Sequence, residues 1–436
     1  MNIRPVTAAE RHWGGLDYFL LWAGVGISLA EIWAGGFLST MGLWLGLSAI
    51  IIGHIIGNTL MGLGGIIGSD HGIMSMVSLR PSFGIRGSRI AAVLNIIQLV
   101  GWASIMLIIG GRAGAALGQG IGGVFATSRF WIILLGVGTL LWALYTGKTI
   151  WKTMQSISMV AMVLIMGAMS WVSFTGLELN LIKSAADPMP FMTGLDLVIA
   201  MPISWMPLVA DYSRMSKSTS SAFWNTWWGY FIISSWMYIL GLVATLMTGS
   251  TDPGFLILQT MGTIGLAVPA LVLIVLSTVT SDFPDIYSTT CSVMNISPKV
   301  KPNTVMWGSG IVTIVVALLT PVEQFENFLL LIGAMFVPLF GVVLTDYFII
   351  RKRRIDVGQL YKRCGEYWYV KGYNVSAIIS WAIGFAVFET VAHMQYTVGG
   401  TLPSIIVSGL LYQVLTSVSE RRGEKIAYGS ASDRQD

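Results

Sequence analysis

Glu31 stands in the middle of an otherwise apolar stretch, AGVGISLAEIWAGG (23–36). At the centre of a membrane helix a carboxylate is disfavoured by about 3 kcal/mol. Such a group could bind a cation, carry a coupling proton or accept hydrogen bonds from a ligand. A structural hydrogen bond to nearby unwound backbone is the plainer alternative. A carboxyl can also pair in two-pronged fashion with a ring nitrogen and its adjacent exocyclic amine, the edge an aminopyrimidine offers. Gln98 and Trp102 are four apart and so share a helical face, one offering a donor and an acceptor, the other a flat π surface. Ser204 and Trp205 sit in AMPISWMPLVAD (200–211), and Trp205 could supply an opposite wall. Two indoles bounding a slot suit a planar heteroaromatic ligand, although 17 Trp make ordinary packing a real competitor. Ser277, Thr280 and Ser281 follow i, i+3, i+4 spacing. With backbone carbonyls freed near Gly24 and Ile27 they could form a small cage for a hard cation. Hydroxyls in membrane helices also commonly bond back to the preceding turn. Asp282 and Asp285 follow, placed to relay protons or pair with bases.

These groups need elements to hold them. Charged residues are 11% of the 436 and hydrophobic residues 54%, too few charges to cover a water-soluble surface. A cytosolic enzyme, a nucleic-acid binder and a disordered protein are excluded. Cys291 and Cys364 form no disulfide framework and have no metal spacing. A helix crossing roughly 30 Å of hydrocarbon needs about 20 apolar residues. Windows of that size give twelve spans, near 16–38, 43–68, 90–117, 130–146, 152–174, 195–213, 224–248, 264–291, 304–320, 324–350, 374–395 and 400–416. At about 1.5 Å per residue, Glu31, Gln98, Trp102, Ser204, Trp205, Thr280, Ser281 and Asp282 fall at one depth near the midplane.

Basic residues sort to one side. Arg80, Arg86, Arg89, Lys148, Lys152, Arg214, Lys217, Lys299, Lys301, the run Arg351–Arg354 and the tail all fall in alternate loops with the N-terminus; only Arg112, Arg129 and Lys183 fall opposite. The positive-inside rule then predicts both termini in the cytoplasm and a multi-pass protein of the cell membrane. The N-terminus, with Glu10, His12 and Asp17, does not read as a removable signal peptide. The run 351–354 reads as a topology determinant, with an anionic-lipid site as the alternative. The polar tail after 420 is expected to be disordered.

Two spans are interrupted at matching places. Gly24, Gly26, Gly35 and Gly36 loosen the first, and Pro202 and Pro207 break the sixth. Each opens a set of five spans, and paired interruptions mark the binding site of an inverted-repeat transporter. Gly53 and Gly57 in the second span read as close packing.

RPSFGIRGSRIAAVLNIIQLVGW (80–102), VADYSRM (209–215), TVTSDFPDIYS (278–288) and LTDYFIIRKRR (344–354) together resemble the nucleobase–cation symport family of cytosine, purine, hydantoin and allantoin permeases, over roughly residues 15–355. The resemblance implies an all-α, twelve-helix, LeuT-like fold. A cytoplasmic segment 1–15 would precede a ten-helix core 16–350, with repeats of about 16–174 and 195–350. A basic loop 351–373, two peripheral helices within 374–416 and a tail 417–436 would follow. It places the stacking aromatic on Trp102, substrate contacts around Met201, Ser204 and Trp205, and sodium on carbonyls of Gly24, Ile27 and Ser277 with hydroxyls of Thr280 and Ser281. Glu31, Gln98, Ser277 and the SDFPD run depart from the cytosine-permease pattern. The whole is most similar to the branch regarded as hydroxymethylpyrimidine transporters linked to thiamine supply, with Glu31, Gln98 and Asp282 added to the substrate set.

The expectation is a sodium-coupled importer of a planar pyrimidine-type heterocycle, working as a monomer in the bilayer without cofactor or nucleic acid. A proton-coupled permease for cytosine, purine or allantoin is the alternative. A membrane enzyme is disfavoured: His12, His54, His71 and His393 lack ligand spacing. Gly147-Lys148-Thr149 also fails as a phosphate loop, because Trp142 occupies its first glycine position. A channel would instead show polar rings along a continuous pore.

Overall fold

Ile27 and Ser28 leave helical geometry (φ −81°, ψ 88° and φ −144°, ψ 143°), dividing the first span into α1 (Gly15–Gly26) and α2 (Leu29–Phe37). The break is stabilised locally, because Ser28 Oγ accepts the N–H of Ala30 at 3.2 Å and so caps α2. The computed structural model describes residues 4–145, 148–177, 184–297, 299–321, 324–394 and 398–421; the side chains of 144–145, 148–156, 277, 280–284, 291, 295 and 420–421 lie outside that description.

After the first break come α3 (Gly42–His71), the short α4 (Ser75–Ser78) and α5 (Arg80–Phe83), then α6 (Ser88–Gly118), α7 (Ser128–Tyr145) and α8 (Lys148–Thr175). The second set opens on α9 (Phe191–Ser204) and α10 (Met206–Ser213), divided at Trp205. Pro207 stands in the first turn of α10, where its missing N–H costs nothing. Then follow α11 (Thr219–Thr248), α12 (Pro253–Gly262), α13 (Ala267–Ile296), α14 (Pro302–Leu319) and α15 (Phe325–Leu344), the last prolonged by a π-turn at Thr345–Ile350. The helices α16 (Val375–His393) and α17 (Thr401–Arg421) end the described chain. Each of the twelve sequence windows thus holds helix. Nine helical segments among the described residues are long and apolar enough to cross a membrane. The extra α12 is too short for a hydropathy window, but its start is written locally: Asp252 caps Phe255 N–H at 2.9 Å and Pro253 takes the first turn.

Glycine sets how closely the broken helices approach their neighbours. A Cβ on Gly241 of α11 would run into the Ile32 carbonyl of α2, and one on Gly35 into the Tyr238 backbone. Gly53 and Gly57 of α3 meet Val198 and Pro202 of α9 in the same way, the packing role their spacing suggests. Replacing Gly241 by Val is expected to cost about 1–3 kcal/mol through forced separation of α2 and α11. It should appear as a lower melting temperature of purified protein, whereas Gly262→Ala, which meets nothing, should leave it unchanged. Equal melting temperatures for both variants would remove close approach as the reason for Gly241.

The basic run after α15 is partly internal. Arg351 is buried, with Nε 2.8 Å from Asp346 Oδ2 and Nη2 2.8 Å from the Tyr369 hydroxyl. Arg353 grips Asp70 at the end of α3 with two bonds of 2.9 Å. Lys352 and Arg354 remain exposed. Two of the four bases therefore have protein partners, and the segment is docked against α3 and α5.

Candidate ligand and coupling site

Between the two broken helices and α6, α8 and α13 lies a cavity of about 360 Å³. Gly24, Ile27 and Glu31 line it from the first break, Met201 and Trp205 from the second, and Trp102 from α6. Helix α8 adds Ser158, Met159 and Met162, and α13 adds Asp285. The sequence thus brings six of its proposed site residues to one wall.

Glu31 is only 2% exposed, and both its oxygens are engaged. Tyr230 Oη donates to Oε1 at 2.6 Å, and Ser234 Oγ lies 2.7 Å from Oε2. These partners sit at i and i+4 of α11, so one helical face holds the carboxyl from both sides. Behind Ser234, His54 of α3 brings Nε2 to 2.6 Å from its hydroxyl, and His54 Nδ1 lies 2.8 Å from the Ile50 carbonyl. Trp205 Nε1 donates to Tyr230 Oη at 3.1 Å. Trp22 packs edge-on against both Trp205 and Tyr230, with centroids 6.0 and 6.3 Å apart. The indole wall and the carboxyl are therefore parts of one hydrogen-bonded assembly. Tyr230, Ser234 and His54 were missed by the sequence reading. A polar stripe of Tyr230, Ser234 and Tyr238 at four-residue spacing in an apolar span is the signal that could have found the first two.

Gln98 and Ser204 are brought to the second break but not to the cavity wall. Leu208 N–H bonds the carbonyl of Trp205 rather than that of Ser204, so the Ser204 carbonyl lacks its helical donor. Gln98 Nε2 supplies one at 2.9 Å, and also donates to Asn95 at 2.8 Å. Ser204 Oγ donates back to the Met201 carbonyl at 2.6 Å. Gln98 thus completes a broken helix from the side, while Trp102, four residues on, faces the cavity. Trp102 is held edge-on by Phe325 and Phe328, with centroids 6.0 and 5.4 Å away.

The side chains of Ser277, Thr280, Ser281 and Asp282 lie outside the described residues, although α13 runs through them as continuous helix. For a cation the testable half of the cage is the first break. Its backbone leaves the regular ladder after Gly24, whose carbonyl accepts the Ile27 N–H at 3.3 Å. Carbonyls released from i→i+4 bonding at this point fit an oxygen-ligand cation such as sodium.

Beside Trp102, away from the N-terminal end of α1, lies a cluster of aromatic side chains. Trp33 packs on Phe325 with centroids 4.7 Å apart, Phe37 lies 5.8 Å from Phe325, and Trp102 completes the group. Beyond it a separate pocket of about 120 Å³ is lined by Trp33, Phe328 and Gln324 among others. On the other side the wall continues to Leu20, Tyr212 and Asp285, toward the face that carries the N-terminus.

Residues 5–413 match the family model described as permease for cytosine/purines, uracil, thiamine, allantoin. The hydantoin permease of Microbacterium maritypicum is 26% identical over 355 residues, covering 75% of this chain and 71% of that one. The cytosine permease of Escherichia coli K12 is 25% identical over 353 residues, 79% of each chain. A solved structure described as the inward facing conformation of Mhp1 superposes with a TM-score of 0.84 at 22% identity, covering 99% of this chain and 98% of that one. That likeness gives the fold, a LeuT-like arrangement, and the family match spans nearly the whole chain: the protein belongs to the family of membrane permeases for cytosine and purines, uracil, thiamine and allantoin.

Proposed function

We propose that this permease imports a planar pyrimidine-type heterocycle by sodium symport and alternating access, with hydroxymethylpyrimidine as the best-fitting cargo. One observation carries the reading. A buried carboxyl, Glu31, is fixed at a helix break in the wall of the cavity that Trp102 and Trp205 also line. The indoles offer flat surfaces for a ring, and the carboxyl can meet a ring nitrogen and its neighbouring amine. A volume near 360 Å³ is at the small end of the roughly 300–1,000 Å³ typical of small-molecule sites, which suits one ring with short substituents. Sodium would be held by the carbonyls of Gly24, Ile27 and Ser277 and the hydroxyls of Thr280 and Ser281, supplying the driving gradient. The protein would act as a monomer in the cell membrane with both termini in the cytoplasm, as the sorting of its bases favours. The chain running from Glu31 to His54 supports a second reading, proton coupling for a cytosine-, purine- or allantoin-type cargo.

Uptake of labelled hydroxymethylpyrimidine, cytosine, uracil and hydantoin into vesicles, with and without a sodium gradient, separates these. Hydroxymethylpyrimidine uptake should fall to background when the sodium gradient is removed. Uptake that persists without sodium and disappears with a proton uncoupler would replace sodium by the proton. Preference for another of the four compounds would replace the cargo.

A further inference from the structure

Glu31, Ser234 and His54 form a single line of buried polar atoms, and counting hydrogens along it is restrictive. The Ile50 carbonyl next to His54 Nδ1 can only accept, so Nδ1 carries a hydrogen. Ser234 has one hydroxyl hydrogen but two acceptor-capable neighbours, Glu31 Oε2 at 2.7 Å and His54 Nε2 at 2.6 Å. Only two arrangements make both bonds. If Glu31 is ionised, Ser234 donates to it, and His54 Nε2 must also carry a hydrogen, making the ring an imidazolium. If Glu31 is a neutral acid, its own O–H donates to Ser234, and Ser234 donates to a bare Nε2. The two arrangements contain the same number of protons and differ only in where one sits. Both Glu31 and His54 are buried, at 2% and 0% exposure. Separating charge there is costly, so the neutral arrangement is the resting one.

We propose that Glu31, Ser234 and His54 are an internal proton wire that lets Glu31 become a carboxylate toward a donor-bearing ligand without exchanging a proton with solvent. The inference rests on the reading that Glu31 meets the ligand. When a ligand edge made of donors alone, an amine beside a ring N–H, comes to Glu31, the Glu31 O–H bond breaks as its proton passes to Ser234 Oγ. The hydroxyl proton that Ser234 held passes to His54 Nε2. Glu31 is then a carboxylate facing donors, and His54 holds the proton as an imidazolium. A ligand edge that brings an acceptor leaves the proton on Glu31, where it stays bonded to Ser234. His54 is a positioning residue in this scheme, acting on the ligand only through Ser234. The other titratable groups that face the wire are Tyr230, which donates to Glu31 Oε1 in both arrangements, and Tyr238, whose ring packs edge-on to His54 at 5.0 Å. Asp285 lines the same cavity as Glu31, and among the described residues no Lys or Arg is ion-paired with Glu31.

Infrared spectroscopy of the purified full-length protein, with isocytosine, which carries an amine beside a ring N–H, and uracil, whose N–H groups each stand beside a carbonyl, tests this. The resting wild type should show a carboxylic-acid carbonyl stretch that Glu31→Gln removes. Isocytosine should abolish that band and bring in imidazolium ring bands, and uracil should leave it. His54→Gln should lose the imidazolium signal, and Ser234→Ala interrupts the wire a second way. Calorimetry in two buffers of different ionisation heat should show no net proton exchange when isocytosine binds wild type, but release of about one proton in the His54→Gln protein. Absence of the resting band overturns the proposal whatever binds. Release of about one proton by wild type on binding isocytosine overturns it too. If Trp102→Ala and Glu31→Gln bind both probes like wild type, the ligand site itself is misplaced, a distinct failure.

Discussion

Replacing Trp102 with alanine is expected to weaken ligand binding about 5- to 150-fold, the 1–3 kcal/mol that stacking a planar base on an aromatic side chain contributes. The loss should appear in the concentration of substrate needed for half-maximal uptake. Protein stability should change little, because Trp102 is only partly buried at the cavity wall. Its ring is fixed edge-on by Phe325 and Phe328, so part of the ordering entropy of a stacking platform is already settled before a ligand arrives. Trp102→Phe should recover most of the binding, since a flat face remains. Phe328→Ala should give a smaller loss than Trp102→Ala, acting only by loosening the indole. Unaltered uptake by Trp102→Ala at unaltered melting temperature would remove this residue from the ligand site.

The second large effect lies at Glu31, where two substitutions should separate function from stability. Glu31→Ala strips the acceptor from the Tyr230 hydroxyl, on a residue with 0% exposure, while Ser234 keeps His54. An unsatisfied buried hydroxyl costs about 1–3 kcal/mol, so this variant should lose both transport and several degrees of melting temperature. Glu31→Gln can still accept from Tyr230 and bond Ser234, and should melt close to wild type. It cannot become a carboxylate, so uptake of an amine-bearing heterocycle should fall at least about tenfold, the equivalent of about 1.4 kcal/mol. Thermal unfolding and labelled uptake measured on the same preparations check both halves. Full uptake by Glu31→Gln would leave Glu31 a structural anchor for α2 and α11.

How far the sequence carried this reading depends on whether the signal was local. The helix breaks were legible because glycine and proline act on the backbone where they stand: the chain opens at Ile27–Ser28 between glycines and at Trp205 between Pro202 and Pro207. Long apolar helices were legible because hydrocarbon thickness imposes a length, which nine helical segments among the described residues reach. The partners of Glu31 were not, because Tyr230 lies 199 residues away and meets it only when α2 docks on α11. Gln98 illustrates an error of orientation. Its spacing to Trp102 is right for a shared face, yet it turns to the Ser204 carbonyl, whose need for a donor exists only once the sixth span has broken. The basic run 351–354 reads as a topology determinant, and its protein partners were likewise out of sight in the sequence. Charge alone suits a lipid-facing surface, but Asp346 and Asp70 wait for Arg351 and Arg353 from the π-turn and from the far end of α3.

The aromatic cluster formed by Trp33, Phe37, Phe325 and Trp102 bears on electrical leak. Water does not dwell in a narrow passage lined by rings, and ions do not cross what water does not wet. A carrier coupled to an ion gradient has to keep that gradient from discharging through its own site. If sodium drives this carrier, the ring packing beside Trp102, with centroids 4.7 to 6.0 Å apart, is where a seal without charge would stand. Thinning it, as Phe325→Ala would, should therefore appear first as current without cargo.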